Sequence, residues 1–413
     1  MSINNGKRPT VCIVAADVSA DQNAARLAAA LRRMAPQVRI IGAGGCVMRQ
    51  AGIDVAVDSD GVSMVGPPDS LHALRSLARV WRGLTRLMKS EPPDVVILVD
   101  NETLNLFFAR WARKRGVSTV FFFPPQVWFW GRWRLRWILP AATRVLSAFR
   151  EEAELYRSAG ADTRWIGHPL RDEVQVREDP VRAMRAAGLD PNRPMVVLMP
   201  GSRPQELKAH CETMLAVARI LRDRNPALQF AVPLASEALR AQLEGAVRRA
   251  GVSDVVVYSP ESFAVLSRAR AVLQCSGTAT LETGLLGIPS VIVYRCTRLQ
   301  HLVARAVMYV NYIGMVNILL GEMVQPEFFH WRIDPRRLAD EMWSLLTDEA
   351  RRDRIRGRLA TLAEVMGPQG AIRRAAEAIL ELIPGWARES SAEDIGPDDK
   401  ESGEGARLIA SGR

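Results

Sequence analysis

Asp100 closes the apolar run from Asp94 to Asp100 (DVVILVD) and is followed by NETLN. A carboxylate at the carboxyl end of a parallel strand can take the proton of an attacking hydroxyl, because ligands of open α/β sheets collect along that edge. It can equally cap the helix that follows, and at this point the two roles stay open. A second group lies in MVVLMPGSRPQE, from Met195 to Glu206. There Pro200 and Gly201 break a strand, Ser202 reads as a helix N-cap, and Arg203 adds a guanidinium to free N–H groups at the positive end of a helix dipole. A third follows Ala271 to Gln274 (AVLQ), where Cys275, Ser276, Gly277 and Thr278 form a turn. Glu282 lies one helical turn beyond, on the face that Thr278 begins. Two anion-competent turns with a carboxylate behind one of them fit a nucleotide diphosphate and its ribose hydroxyls. The plainer alternative is a doubly wound domain with ordinary connecting turns.

Positioning such groups requires strands that end where they stand. The first half offers apolar runs at Thr10 to Ala16, Val38 to Ile41, Asp94 to Asp100, Ser118 to Phe123, Arg144 to Ala148 and Thr163 to Ile166. The second offers Val196 to Met199, Gln229 to Pro233, Val255 to Tyr258, Ala271 to Gln274 and Ser290 to Tyr294. Helical stretches lie between them, so each half reads as a Rossmann-like unit with a parallel sheet. The glycines of GAGG (Gly42 to Gly45) do not form a dinucleotide fingerprint and read as structural. The polar stretch Arg171 to Pro194 reads as a linker with one short helix, and His168 stands at its start. The expected organisation is an N-terminal domain over 1–170, the linker over 171–194, a second domain over 195–345, helices over 346–384 and a disordered tail over 385–413. The run Leu299 to Val310 is apolar, and the following NYIGMVNILLGEMVQPEFF, where polar amides stand beside apolar residues with Glu322, Gln325 and Glu327, reads as a second wall of the cleft.

Composition narrows the partners. The 413 residues are 48% hydrophobic and 24% charged, which is globular, and 55 basic against 45 acidic residues give a net charge of +10. Such a balance favours anionic partners: phosphorylated substrates, anionic lipid or nucleic acid. The five cysteines form no CxxC pair and are odd in number, so a reducing compartment is expected rather than a disulfide framework. No run approaches the roughly 18 apolar residues of a spanning helix, and the first residues lack a signal-peptide core. Arg75, Arg79, Arg82 and Arg86 share one face of a helix over Leu71 to Met88, a face that is ordinarily just solvated.

The segment PPQVWFWGRWRLRWILP is unusual. Trp130, Trp133 and Trp137 fall on one stripe if the segment is helical, with Arg132, Arg134 and Arg136 interleaved. Indoles among headgroups and guanidinium groups on lipid phosphates suit a bilayer interface. Core packing and a base-stacking surface are the competing readings.

DVSAD after the first strand, VVILVDNETLN, PPQVWFW, WIGHPLRDE, VLMPGSRPQE, CSGTATLET and the run from VNILLGE to QPEFF occur in this order. Together they resemble the lipid-A-disaccharide synthase family of GT-B nucleotide-sugar glycosyltransferases, over about residues 10 to 383. The resemblance implies an α/β GT-B fold, with two Rossmann-like domains facing across a cleft and helices at the C-terminus. It implies inverting transfer of a diacylglucosamine from UDP to the 6-hydroxyl of diacylglucosamine 1-phosphate, without a metal or other cofactor. By position, Asp100 would be the catalytic base, and Asp17, Ser19, Asp21 and Asn105 would serve the acceptor side. Arg203, Ser276, Thr278 and Glu282 would hold the UDP, with Asn317 nearby. The implied partners are the UDP-sugar, an acylated sugar phosphate and the cytoplasmic face of an inner membrane, with nucleic acid excluded and a homodimer left open. The first turn departs from the family's Gly-Glu-x-Ser-Gly-Asp: Ala16, Asp17 and Ala20 stand there, shortening a carboxylate and losing both glycines. The alternatives are a paralogue with another lipid acceptor, a non-catalytic UDP-sugar or lipid-binding protein, and a GT-B-shaped UDP-sugar 2-epimerase, which would leave the tryptophan stripe unexplained.

Overall fold

The structure, a computed structural model, describes residues 8–16, 18–58, 71–100, 102–260 and 262–383. The first half contains seven strands: β1 (Thr10–Ala15), β2 (Arg39–Gly44), β3 (Asp54–Asp58), β4 (Val95–Val99), β5 (Ser118–Phe122), β6 (Arg144–Ser147) and β7 (Thr163–Trp165). They form one parallel sheet in the order β3-β2-β1-β4-β5-β6-β7. The second half contributes β8 (Met195–Met199), β9 (Gln229–Pro233), β10 (Val255–Tyr258), β11 (Ala271–Cys275), β12 (Ser290–Arg295) and β13 (Glu327–His330). These are also parallel, in the order β10-β9-β8-β11-β12-β13. Chain order reverses between β1 and β4 in one sheet and between β8 and β11 in the other. These are the topological switch points, where a crevice opens beyond the strand ends.

Strand alternation produces the layers. In β1 and β4, Val11, Ile13, Val95, Ile97 and Val99 face one core cluster, while Cys12, Val14, Val96 and Leu98 face another. Burying both faces is what makes these segments read as unbroken apolar runs. Each such side chain contributes about 1.5–3 kcal/mol. Gly42 is required by packing: a Cβ there would lie 1.9 Å from the Ile13 carbonyl oxygen on the neighbouring strand. The structural reading of GAGG holds.

Two edge strands, β3 and β13, were not expected. Both are short and incompletely buried, so neither carries the apolar run that marks a central strand. The stretch read as a linker contains two short helices, Leu170–Glu173 and Pro180–Ala186, rather than one, and Met184 and Leu189 pack into the second half's core. The helix Pro204–Arg224 is capped by Arg203, not Ser202, with Pro204 in its first turn. The helix Leu71–Ser90 holds Arg75, Arg79, Arg82 and Arg86 in solvent while Val80, Leu84 and Met88 are buried, the solvated face expected.

The C-terminal helices do not all stay with the second half. The helix Ala371–Leu380 packs against the helix Val18–Met34, and Ala375, Ala376, Ile379 and Leu380 complete the core beneath β1 and β4. The chain therefore crosses between the halves twice, near residues 166–173 and near 366–370. The crossings lie side by side: His168 N–H donates to the Met366 carbonyl at 3.0 Å, Arg171 to Gly367 at 3.2 Å, and Gly370 N–H to the Asp172 carboxylate at 2.9 and 3.0 Å.

Candidate active site

Asp100 is the residue immediately after β4, at a switch point, and its side is exposed. Its φ of +50° puts it in the left-handed region, which Asp tolerates better than most residues. Two interactions impose the turn. Asp100 N–H donates to the Phe122 carbonyl at 3.1 Å, and the buried Asn105 amide donates to the carbonyls of Val99 and Asp100 at 3.1 and 2.6 Å. Asn105 thus holds the backbone of the Asp100 turn, while its buried Oδ1 has no hydrogen-bond partner among the described residues.

Behind this edge lies a carboxyl group absent from the sequence reading. Glu152, fully buried in the helix Arg150–Ser158, receives the Ser147 hydroxyl at 2.5 Å through Oε2, while Oε1 has no hydrogen-bond partner among the described residues. Burial pushes its pKa up to about 8 against the lowering effect of Ser147, and the charges of Asp100 and Glu151 push the same way. At neutral pH it is mostly a neutral acid beside the candidate base. Its position in REEAEL resembles an ordinary solvated helix, which hides it in the sequence.

On the acceptor side, Ser19 is exposed in the first turn of the helix Val18–Met34, and Asp17 lies outside the described residues. Asp21 does not line the cleft as expected. Its carboxylate is nearly buried and accepts from the backbone N–H groups of Gly45, Val47 and Met48 at 2.7, 2.9 and 3.4 Å, fastening the turn after β2.

In the second half, the turn after β8 is already occupied by a carboxylate. Glu206 Oε2 accepts from the N–H groups of Ser202 and Arg203 at 2.8 and 3.3 Å, and Glu206 Oε1 pairs with the Arg203 guanidinium at 3.2 Å. These contacts form a reciprocal capping box at the start of the helix Pro204–Arg224. Gly201 makes this possible, having a φ of +127° and room that a Cβ would fill at 2.4 Å from Glu206 Cβ. His210 braces the turn: its Nε2 accepts from Arg295 N–H at 3.1 Å, so Nδ1 carries the proton and donates to the Pro200 carbonyl at 3.2 Å. Burial pushes its pKa down, consistent with this neutral form.

At the neighbouring strand end, Ser276 donates its hydroxyl to the Ile313 carbonyl at 2.7 Å, and Thr278 stands exposed before the helix Ala279–Leu285. Glu282 is largely shielded, its pKa pushed up to about 7 by burial and then by the charge of Glu173. Glu173 is ion-paired with Arg26 at 2.7 Å, which brings the first half's opening helix to this corner. Asn317 is another correction. Both its N–H groups are taken, by the Gln325 carbonyl and the Glu327 carboxylate at 2.6 and 2.7 Å, and its Oδ1 accepts from Val324 and Gln325 N–H at 2.9 Å each. An amide so committed is a strut of the wall, with no capacity left for a ligand.

The tryptophan stripe is also rearranged. Trp130 precedes Gly131, whose φ of +69° turns the chain before the short helices Arg132–Arg134 and Leu135–Ile138. Trp130 is therefore stacked apart, under the Arg134 guanidinium at 3.6 Å, while Trp133 and Trp137 pair edge to face at 4.9 Å. Trp133 is 52% exposed, and the core role falls to Trp128, which packs on Phe149. His168 sits beside Phe123 and Phe149, its Nδ1 accepts from Leu170 N–H at 3.2 Å, and burial pulls its pKa down to about 4, so the ring is neutral.

The family profile described as lipid-A-disaccharide synthetase matches residues 11–380. A lipid-A-disaccharide synthase of Syntrophus aciditrophicus is 35% identical over 373 residues, covering 90% of this chain and 97% of that protein. One of Myxococcus xanthus is 32% identical over 378 residues, covering 91% and 98%. Among solved structures, the UDP-GlcNAc 2-epimerase of Neisseria meningitidis bound to UDP-GlcNAc superposes with a TM-score of 0.61 at 13% identity, covering 90% of this chain and all of that one. The glycotransferase of kitacinnamycin gives 0.55 at 15%, covering 92% and 100%. At such identities these structures speak for the shared two-domain α/β fold alone, the GT-B arrangement expected. With the match running across both sheets and both crossings, the chain belongs to the lipid-A-disaccharide synthase family.

Proposed function

We propose that this protein is the UDP-sugar glycosyltransferase that makes the lipid A disaccharide. It transfers 2,3-diacylglucosamine from UDP-2,3-diacylglucosamine to the 6-hydroxyl of 2,3-diacylglucosamine 1-phosphate, with inversion. The observation that carries this reading is the family match over residues 11–380, supported by a carboxylate at one switch point and, at the other, a turn whose N–H groups hold the Glu206 carboxylate. Asp100 takes the proton of the attacking hydroxyl as that oxygen bonds to the anomeric carbon. The anomeric bond to the diphosphate breaks, and its electron pair leaves with UDP. Arg203 exchanges Glu206 for the diphosphate and offsets its growing charge, together with the turn amides. Glu282 and Thr278 receive the ribose, and Ser276 holds the neighbouring loop. In this reading residues 1–170, completed by the helix Ala371–Leu380, serve the acceptor, and residues 195–345 serve the donor.

No described helix is long and apolar enough to cross a membrane. The exposed Trp133 and the arginines beside it support a peripheral position at a bilayer surface, which this reading takes to be the cytoplasmic face of the inner membrane. The altered first turn, Ala16 to Asp21, favours one further reading, a different lipid acceptor.

The test is incubation with both diacylated substrates in detergent and mass spectrometry of the products. Disaccharide 1-phosphate, formed by the native protein and lost in Asp100→Asn, is the expected result. UDP released without disaccharide would move the assignment to another acceptor, and bound UDP without turnover would make the protein a binder.

A further inference from the structure

The helix Arg298–Val307 is built inside out. Leu299, Leu302, Val303 and Val307 recur at the spacing of one helical face, and that face points to solvent: Leu299 is 70% exposed and Leu302 is 68%. The helix start is well made, with Thr297 and Gln300 forming a reciprocal capping box, so the outward face is not the product of a frayed segment. Its other side is held by His301, which lies against Phe329 at 5.2 Å and Trp331 at 5.1 Å.

The helix is also continuous with the aromatic segment of the other half. Met308 forms an antiparallel bridge with Trp130, and Tyr309 N–H donates to the Phe129 carbonyl at 2.8 Å. Tyr309, half exposed, carries the Arg132 guanidinium 4.9 Å from its ring centre, and the exposed Trp133 lies in the same segment as Arg132. Neither 298–309 (RLQHLVARAVMY) nor 126–139 (QVWFWGRWRLRWIL) contains a single Asp or Glu.

We propose that this face, the apolar side of the helix Arg298–Val307 continued by Tyr309 and the Arg132 stacked on it, is the element by which the protein lies on an anionic lipid bilayer. The chemistry of the face selects that occupant. Leucine and valine along one side of a short helix suit the acyl boundary, tryptophan and tyrosine suit the headgroup level, and arginine suits lipid phosphate. A second copy of the same face would set arginine against arginine with no carboxylate to answer it, which disfavours self-association here. Because the bridge couples the helix to the first half, one bilayer contact engages both domains. The proposal deepens the peripheral-membrane part of the proposed function and rests on it, but on none of the catalytic assignments.

The experiment uses the full chain and vesicles of phosphatidylcholine with a minority of phosphatidylglycerol, without substrate. A variant with Leu299→Ser, Leu302→Ser, Val303→Ser and Val307→Ser is compared with the native protein by flotation. The expected result is an apparent affinity lower by about tenfold or more, with turnover on detergent-dispersed substrates retained and the melting temperature unchanged. Hydrogen exchange across 298–308 in the native protein should slow when vesicles are added. If the fourfold variant folds poorly, Leu302→Ser alone should show the same direction of effect. Flotation equal to the native protein, or exchange at 298–308 that ignores vesicles, would overturn the helix assignment and leave the contact to Trp133 and its neighbours. Failure of the native protein to float would remove the membrane reading altogether. A variant that changes oligomeric state while floating normally would make the face a protein interface and overturn the proposal.

Discussion

Asp100 and Glu152 form a pair of carboxyl groups with opposite surroundings: one exposed at a strand end, the other sealed beneath it. Asparagine tolerates the left-handed backbone of Asp100 at least as well as aspartate does, so Asp100→Asn removes basicity without rebuilding the turn. Turnover should drop by about 10²–10⁴-fold with UDP affinity unchanged, read by initial rates and calorimetry. Glu152 yields a prediction about stability. Its folded pKa, about 8, lies above the ordinary 4.5, so the folded state keeps a proton that the unfolded chain releases. Its stabilising contribution is whole below pH 4.5 and is lost progressively as the pH climbs toward 8. Glu152→Gln does not titrate. Its melting temperature should therefore gain on the native protein between pH 5 and pH 8, by the equivalent of a few kcal/mol. A difference that stays constant with pH would mean that Glu152 is ionised in the fold.

At the scale of elements, the stretch from Ile313 to Glu327 is a chain of internal supports. Glu327 on the edge strand β13 accepts from the N–H groups of Ile313 and Gly314 at 2.8 Å each, Asn317 braces Glu327, and the Ile313 carbonyl receives Ser276. Burial pushes the Glu327 pKa up while these donors pull it down. Asn317→Ala would strand buried polar groups at Val324, Gln325 and Glu327, each at a cost of about 1–3 kcal/mol. Denaturation should show a marked loss of stability, whereas UDP affinity measured well below the transition should fall less than in Glu282→Ala. The opposite ranking would return Asn317 to the ligand. Elements also show where pattern reading stops: β3 and β13 border their sheets, where half the burial that writes a strand into sequence is missing. Gly131 broke the expected tryptophan stripe by turning left-handed between Trp130 and Trp133.

The whole molecule turns on its paired crossings. Gly367 has a φ of +86°, and a Cβ there would come within 2.6 Å of the Trp165 ring and 3.2 Å of Gly167 Cα. Gly167 is itself left-handed at +75°. Gly367→Ala should therefore destabilise the protein by about 1–3 kcal/mol and pry the crossings apart. The measurements are chemical denaturation and protease sensitivity near residues 166–173 and 366–370, and native behaviour in both would show that the two passages bear no strain in common.

Taken alone, the sequence determined the alternation of strand and helix, both sheets' central strands, and the polar residues waiting at Asp100, Ser202–Arg203 and Ser276–Thr278. Those signals are local: burial on both faces writes an apolar run, and a chain leaving a buried strand needs a turn within a few residues. It could not determine that Asp21 is spent on the turn at Gly45, that His210 joins Pro200 to Arg295, that the last helix returns to the first sheet, or that a leucine face on the helix Arg298–Val307 looks outward. Each of these depends on what lies opposite a residue in space, and a side chain's type and spacing are the same whether its partner is solvent, ligand or a distant part of the chain.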